Sequence, residues 1–261
     1  MLNQVGPEGQ KKLKAASVIV VGAGGLGSPA LTYLAAAGVG RLGLIDSDTV
    51  SLSNLNRQFL FSGGDIGRSK AASAKEKLTA LNGDIEVIAY EEHLSDENAG
   101  TLFAGYDLVL GAVDSFDTRF VINRAAAALK LPYIDGGVNG FSGCVVFSQP
   151  PKTPCLACVF PIPNAEKEPS DAPSDSPSGV PSDVYKTPVS VHGTSAGEAP
   201  IGVLGTTAGV IGTLEANLCL LWLLGHQNPL ENKLLLYDGF RMSMDLIEIR
   251  RDKNCSVCGG A

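Results

Sequence analysis

The segment Gly22-Ala-Gly24-Gly25-Leu-Gly27 lies between a β-branched run, Ser17 to Val21, and an alanine- and leucine-rich stretch, Pro29 to Ala37, that Gly38 stops. Read in order this is strand, glycine loop, helix, and few folds accommodate it. Glycines let backbone N–H groups and the positive end of the helix dipole approach a phosphate. The G-x-G-x-x-G pattern alone is a weak signal, since a glycine turn can serve only to pack a helix against a strand. Asp46 strengthens it, falling nineteen residues beyond Gly27 at the end of the next predicted strand, Arg41 to Ile45. An acidic side chain at that place takes ribose hydroxyls. The two features together predict a nucleotide site, with an NAD-dependent dehydrogenase as the ordinary reading.

The alternation continues downstream. Ser69 to Leu81 reads as a helix with Ser69 as its cap, Thr118 to Leu129 as another, and Ile85 to Tyr90, Leu108 to Val113 and Tyr133 to Asp135 as strands. The predicted fold is α/β, a Rossmann-like and mostly parallel sheet. After Gly140, the runs Gly143 to Ser148, Lys233 to Tyr237 and Met244 to Arg250 have few helices between them and predict an antiparallel extension. One domain over 1–261 is expected, with 1–150 as its nucleotide-binding half and 151–261 as the second. Within the latter, Pro161 to Pro200 has eight prolines and seven serines in 40 residues, which predicts a mobile loop. Ile201 to Leu224 is long and apolar enough to raise a membrane span, but Glu215 and Asn217 interrupt it, so a buried core helix is expected and no membrane partner.

A hydrophobic content of 44% can fill a sizeable core and excludes a disordered chain. Twenty Lys and Arg stand against 27 Asp and Glu, and the net charge of -7 argues against nucleic acid as the main partner. No apolar run suited to a signal peptide comes after the N-terminal lysines, so a cytoplasmic location is expected.

The residues beyond Asp46 do not suit hydride transfer. Asn54 and Arg57 place an amide and a guanidinium just past the ribose position, and these suit a triphosphate. Lys70 opens the next helix, where a cation opposes the dipole unless an anion sits nearby. Either cation taken singly could be a solvated surface group. Cys155-Leu-Ala-Cys158 and Cys255-Ser-Val-Cys258 supply four thiolates, the set that tetrahedral Zn²⁺ takes in a closed structural site. The 96 intervening residues exceed finger spacing, but a folded domain can join the pairs. A redox pair needs a cysteine at a helix N-terminus, whereas Pro154 and Gly259 suggest turns. Cys144 and Cys219 read as small buried hydrophobes, and His192 as a solvated loop residue.

Val18 to Gly27, Asp46 to Gln58, Gly67 to Lys70, Leu108 to Ser115 and the cysteine pairs together resemble the ThiF/MoeB family, the bacterial branch of the ubiquitin-activating enzyme superfamily. In its motifs the chain is most similar to MoeB-type molybdopterin-synthase adenylyltransferases. The resemblance implies adenylation of the C-terminal glycine of a small ubiquitin-like sulfur carrier of the MoaD or ThiS type, using ATP and Mg²⁺, for molybdopterin or thiamine biosynthesis. By motif, Gly22, Gly24, Gly25 and Gly27 would form the phosphate loop and Asp46 would bind ribose. Ser53, Asn54, Leu55, Asn56, Arg57 and Lys70 would hold phosphates, and Asp114 with Ser115 would complete the metal and nucleotide site. Arg57, Lys70 and Asp114 would carry the chemistry, and Cys155, Cys158, Cys255 and Cys258 would hold a structural zinc. The family is homodimeric, and Pro161 to Pro200 would act as a crossover loop or lid over the carrier's Gly-Gly tail. That loop contains no cysteine, so the product is expected to stop at the acyl-adenylate. Sulfur would come from a separate donor, as no rhodanese-like extension follows Ala261. Relatives carry an N-terminal arginine that reaches the neighbouring subunit's ATP site; here Lys11 or Lys12 would have to replace it. The competing readings are an NAD-linked oxidoreductase and a non-catalytic, zinc-stabilised binding module.

Overall fold

All five residues of Ser17–Val21 are buried, as a strand covered on both faces must be. The computed structural model describes residues 2–160 and 202–259. Its elements in chain order are α1 (Gly6–Ala15), β1 (Ser17–Val21), α2 (Gly27–Ala37), β2 (Arg41–Ile45), α3 (Lys70–Leu81), β3 (Glu86–Tyr90), α4 (Asp96–Phe103), β4 (Leu108–Gly111), α5 (Phe116–Leu129), β5 (Tyr133–Asn139), β6 (Ser142–Ser148), α6 (Leu156–Val159), α7 (Gly205–Leu224), β7 (Lys233–Asp238) and β8 (Ser243–Glu248). The strands form one sheet in the order β3-β2-β1-β4-β5-β6-β7-β8. The first five are parallel and the last three run antiparallel, as the mostly parallel α/β reading with an antiparallel extension requires.

The two faces bury separate cores. Val18, Val20, Leu42 and Leu44 pack under α2, α3 and α7, while Ile19, Val21, Val109 and Val146 pack under α4, α5 and α6. β1 lies between β2 and β4, with Val21 opposite Ile45 on one side and Gly111 on the other. Successive connections leave in opposite directions there, and the crevice that opens at the carboxyl ends of the strands is where α/β folds bind ligands.

Several boundaries differ from the sequence reading. α5 begins at Phe116 because Ser115 is its N-cap, its hydroxyl accepting from Thr118 N–H at 3.5 Å. β5 runs on to Asn139 through Gly136 and Gly137. Helices α1 and α4 were not foreseen; each buries only two residues, too few to give a strong periodic signal. The stretch Pro161 to Pro200 lies outside the described residues. α7 is long and apolar enough to cross a membrane by length and composition, and in the fold it packs against α2, β5 and β6.

α7 carries a fully buried acid, Glu215. Gly136 makes room for it, since a Cβ there would fall 2.4 Å from the Glu215 Cδ. Burial, and secondarily the nearby Asp135 carboxylate, pushes the Glu215 carboxyl well above the usual range. The folded chain therefore retains a proton that the unfolded chain gives up above the ordinary Glu pKa. Stability from this proton is fully present below that pKa and is lost as pH rises toward the folded-state value. Relative to Glu215→Gln, the native chain should lose about 1.4 kcal/mol per pH unit across that window. Urea unfolding of the two proteins between pH 5 and 9 measures the slope, and parallel curves would refute it.

Candidate functional site

The crevice is a cleft of about 1020 Å³. Gly22, Gly24, Gly25, Asp46, Asp48, Ser53, Arg57, Lys70, Asp114 and Ser115 line it, from loops that follow the strands or open the next helix. Gly22 has φ +96, and a Cβ would lie 2.5 Å from the Ala112 carbonyl. Only glycine fits that turn. Gly27 does not line the cleft; a Cβ there would sit 2.0 Å from the Gly22 carbonyl, so its part is to let α2 close against β1.

Asp46 stands at the end of β2 and is held on both oxygens. Its Oδ2 accepts from Ala23 N–H at 2.8 Å and its Oδ1 from Asp48 N–H at 2.9 Å. Burial raises its carboxyl above the ordinary range, against the pull of those N–H groups and of Lys70. Lys70 opens α3 with a buried side chain whose Nζ donates to Asp48 Oδ2 at 2.8 Å. Arg57 Nη1 donates to the Ser53 carbonyl at 3.2 Å and to Asn56 Oδ1 at 3.1 Å, neutral acceptors that leave its charge uncompensated by them.

The run 53–57 does not face the cleft as a block. Ser53 and Arg57 do, but Asn54, Leu55 and Asn56 do not. Asn54 Oδ1 accepts from Ser51 N–H at 3.1 Å, closing a capping box on a tight 3-10 turn. Leu55 packs against the core that lies under α2, α3 and α7, and Asn56 serves Arg57. Lys11 and Lys12 are also elsewhere, Lys11 paired with Glu8 and Lys12 donating to the Leu224 carbonyl at 2.9 Å. Neither lines the cleft of its own chain.

Asp48, Gln58 and Arg119 are among the cleft residues that escaped the sequence reading. Arg119 is buried and bidentate to Asp135, with Nε donating to Oδ1 at 2.9 Å and Nη2 to Oδ2. Burial opposes its charge, but the Asp135 carboxylate overrides this and holds the guanidinium ionised. It stacks over Phe116 at 4.4 Å, close in sequence to Asp114 and Ser115. Asp48 was legible as a second acid two residues after Asp46; nothing in the spacing marks Arg119.

Beyond α5, at the start of α6, the four paired cysteines come together. Their sulfurs lie within 4.8 Å of one another, with Sγ separations of 3.9 Å for Cys155 and Cys158, 3.6 Å for Cys155 and Cys255, and 3.5 Å for Cys158 and Cys258. A tetrahedral zinc with bonds of about 2.3 Å sets neighbouring sulfurs about 3.8 Å apart, so the residues present fit that metal. Asp252 N–H donates to Cys158 Sγ at 3.4 Å, the kind of support that metal-bound thiolates receive. The hydrogen bond from Cys155 draws the Cys158 thiol below the ordinary range. Cys144 and Cys219 are buried, and burial pushes both thiols up, as inert structural cysteines require.

A model of the ThiF family matches residues 1–257. A sulfur carrier protein adenylyltransferase of Thermus thermophilus is 43% identical to this chain, covering 99% of it and 88% of that protein. A SAMP-activating enzyme E1 of Haloferax volcanii is 36% identical over 99% of this chain and 86% of its own. An adenylyltransferase and sulfurtransferase MOCS3 of Culex quinquefasciatus is 38% identical over 99% of this chain and 53% of its own length, so this chain spans about half of it. Among solved structures, E. coli MccB with MccA-N7isoASN superposes with a TM-score of 0.78 at 26% identity, covering 96% of this chain and 68% of that one.

Proposed function

Because this chain belongs to the ThiF family, we propose that it uses ATP to adenylate the C-terminal glycine carboxylate of a small ubiquitin-like sulfur carrier. The supporting observation is the convergence of a bare glycine loop, two cations (Arg57 and Lys70) and a carboxylate (Asp114) in one cleft. A peptide C-terminus has a pKa of about 3.3 to 3.7, so the nucleophile is ionised at neutral pH and needs no general base. The carboxylate oxygen attacks the α-phosphorus, the bond to the β-phosphate breaks, and pyrophosphate leaves. The obstacle is an anion approaching an anion. Arg57, Lys70 and the N–H groups of the Gly22 to Gly27 loop offset that repulsion and stabilise the charge gathering on the phosphates. Asp114 would hold Mg²⁺ through hard oxygen, a bound charge that neutralises phosphate. Cys155, Cys158, Cys255 and Cys258 would hold zinc as a structural clip.

The finer reading is a carrier of the MoaD or ThiS type with a Gly-Gly tail, a homodimeric enzyme in the cytoplasm, and sulfur supplied by a separate donor. Arg57 and Lys70 in the cleft disfavour an NAD-linked oxidoreductase. The test is carrier-dependent ATP-pyrophosphate exchange with Mg²⁺ and a panel of carriers ending in Gly-Gly. Exchange with one carrier is expected and would name the pathway. Protein that binds ATP and zinc but exchanges with none would overturn the proposal in favour of a non-catalytic binding module.

A further inference from the structure

We propose that Asp48 is a positioning residue that fixes the Lys70 ammonium in the cleft wall before nucleotide arrives. The inference rests on the adenylation reading above and adds a residue to it. Lys70 sits in the first turn of α3, where the helix dipole disfavours a cation, and its side chain is only 7% exposed. A buried ammonium must be paired. Asp48, 68% exposed, supplies the partner twice: its carbonyl accepts from Lys70 N–H at 2.9 Å and its Oδ2 from Lys70 Nζ at 2.8 Å.

Asp48 is itself anchored. Its N–H donates to Asp46 Oδ1 at 2.9 Å, and Asp46 Oδ2 accepts from Ala23 N–H at 2.8 Å within the glycine loop. An antiparallel bridge between Thr49 and Ser69, flanked by Val50 N–H donating to the Arg68 carbonyl at 2.9 Å, fastens the two segments beside the ion pair. One chain of hydrogen bonds therefore runs from the glycine loop through Asp46 and Asp48 to Lys70. The phosphate loop, the ribose acid and the phosphate cation are held in one register. An ammonium has three donors, and among the described residues Asp48 engages one, so two remain for phosphate oxygens without breaking the pair. The rotamer freedom of the lysine is given up in folding and not in binding.

The test is the affinity for a non-hydrolysable ATP analogue, with carrier-dependent exchange kinetics as a second readout. Asp48→Ala should weaken analogue binding about tenfold, and exchange should show a raised KM for ATP with a smaller change in kcat. Asp48→Asn, which keeps the volume but not the charge, should fall between, and Asp48→Glu should recover part of the loss. In a Lys70→Gln background Asp48→Ala should add less than about twofold, because the residue acts through the lysine. A full additional loss in that background, or equal binding by the wild type, Asp48→Ala and Asp48→Asn, would overturn the inference and leave adenylation standing. A wild-type protein that binds no analogue would overturn the adenylation reading itself. Asp48→Asn supplies the comparison should the alanine variant fail to fold.

Discussion

Asp114→Ala should reduce carrier-dependent pyrophosphate exchange by about a hundredfold or more, while the unfolding midpoint moves by no more than about 2 °C. The separation of activity from stability arises at the start of α5. The cap of that helix is Ser115, whose hydroxyl accepts from Thr118 N–H, and Asp114 precedes it in the cleft wall. Removing the Asp114 carboxylate leaves the cap in place, so the cost falls on phosphate and metal chemistry. Arg57→Ala should behave alike, because among the described residues its side-chain hydrogen bonds go to Ser53 and Asn56, within its own turn. Exchange assays beside circular dichroism melts decide the matter. Variants that lose activity only as they unfold, or that keep near-native exchange, would refute the assignment.

Metal removal should have the other large effect. A metal held by the four cysteines would tie residues 155–158 to residues 255–258, and a crosslink closing about 100 residues removes roughly 4 to 5 kcal/mol of chain entropy from the unfolded state. Cys158→Ser, or stripping the metal with a chelator, should therefore lower the unfolding midpoint by about 10 °C. The effect should reach the cleft. Leu156 N–H in α6 donates to Asn123 Oδ1 on α5 at 2.9 Å, and the Phe160 ring meets Phe116 edge-on at 6.1 Å. Phe116 and Arg119 in turn line the cleft, so nucleotide affinity should fall when α6 loosens. One zinc per chain by elemental analysis, and a cobalt-substituted protein with thiolate charge-transfer absorption, would support the clip. Metal-free protein with four reduced thiols and an unchanged melt would refute it.

The parts legible in the sequence were those whose signal is local. β1 announces itself as five buried β-branched or small residues before the glycine loop, and Ser69 as the cap of α3, its hydroxyl accepting from Ala72 N–H at 3.2 Å. The cysteine pairs were legible because thiolate chemistry narrows the choice. The end of β5 was not. The predicted strand stops at Asp135, yet Gly136 and Gly137 continue it, and they are glycines because Glu215 occupies the space of one Cβ and the Arg119 guanidinium and Cys144 Sγ crowd the other at 3.2 Å. The family resemblance likewise implies that Ser53 to Arg57 hold phosphate but does not say which side of a tight turn each residue takes. Asp48 with Lys70 and Arg119 with Asp135 meet across 22 and 16 positions, and only the assembled sheet brings such pairs together.

The thiolate quartet also orders events in the making of the chain. Cys155 and Cys158 are synthesised before α7, β7 and β8 exist, and Cys255 and Cys258 only after all three. At about 5 to 20 residues per second the second pair emerges about 5 to 20 s after the first. Through that interval the parallel strands and the glycine loop are already complete in sequence, while the metal site has only half its ligands. Full coordination marks a chain synthesised past Cys258, since a product interrupted anywhere between the pairs presents two thiols and no closed site.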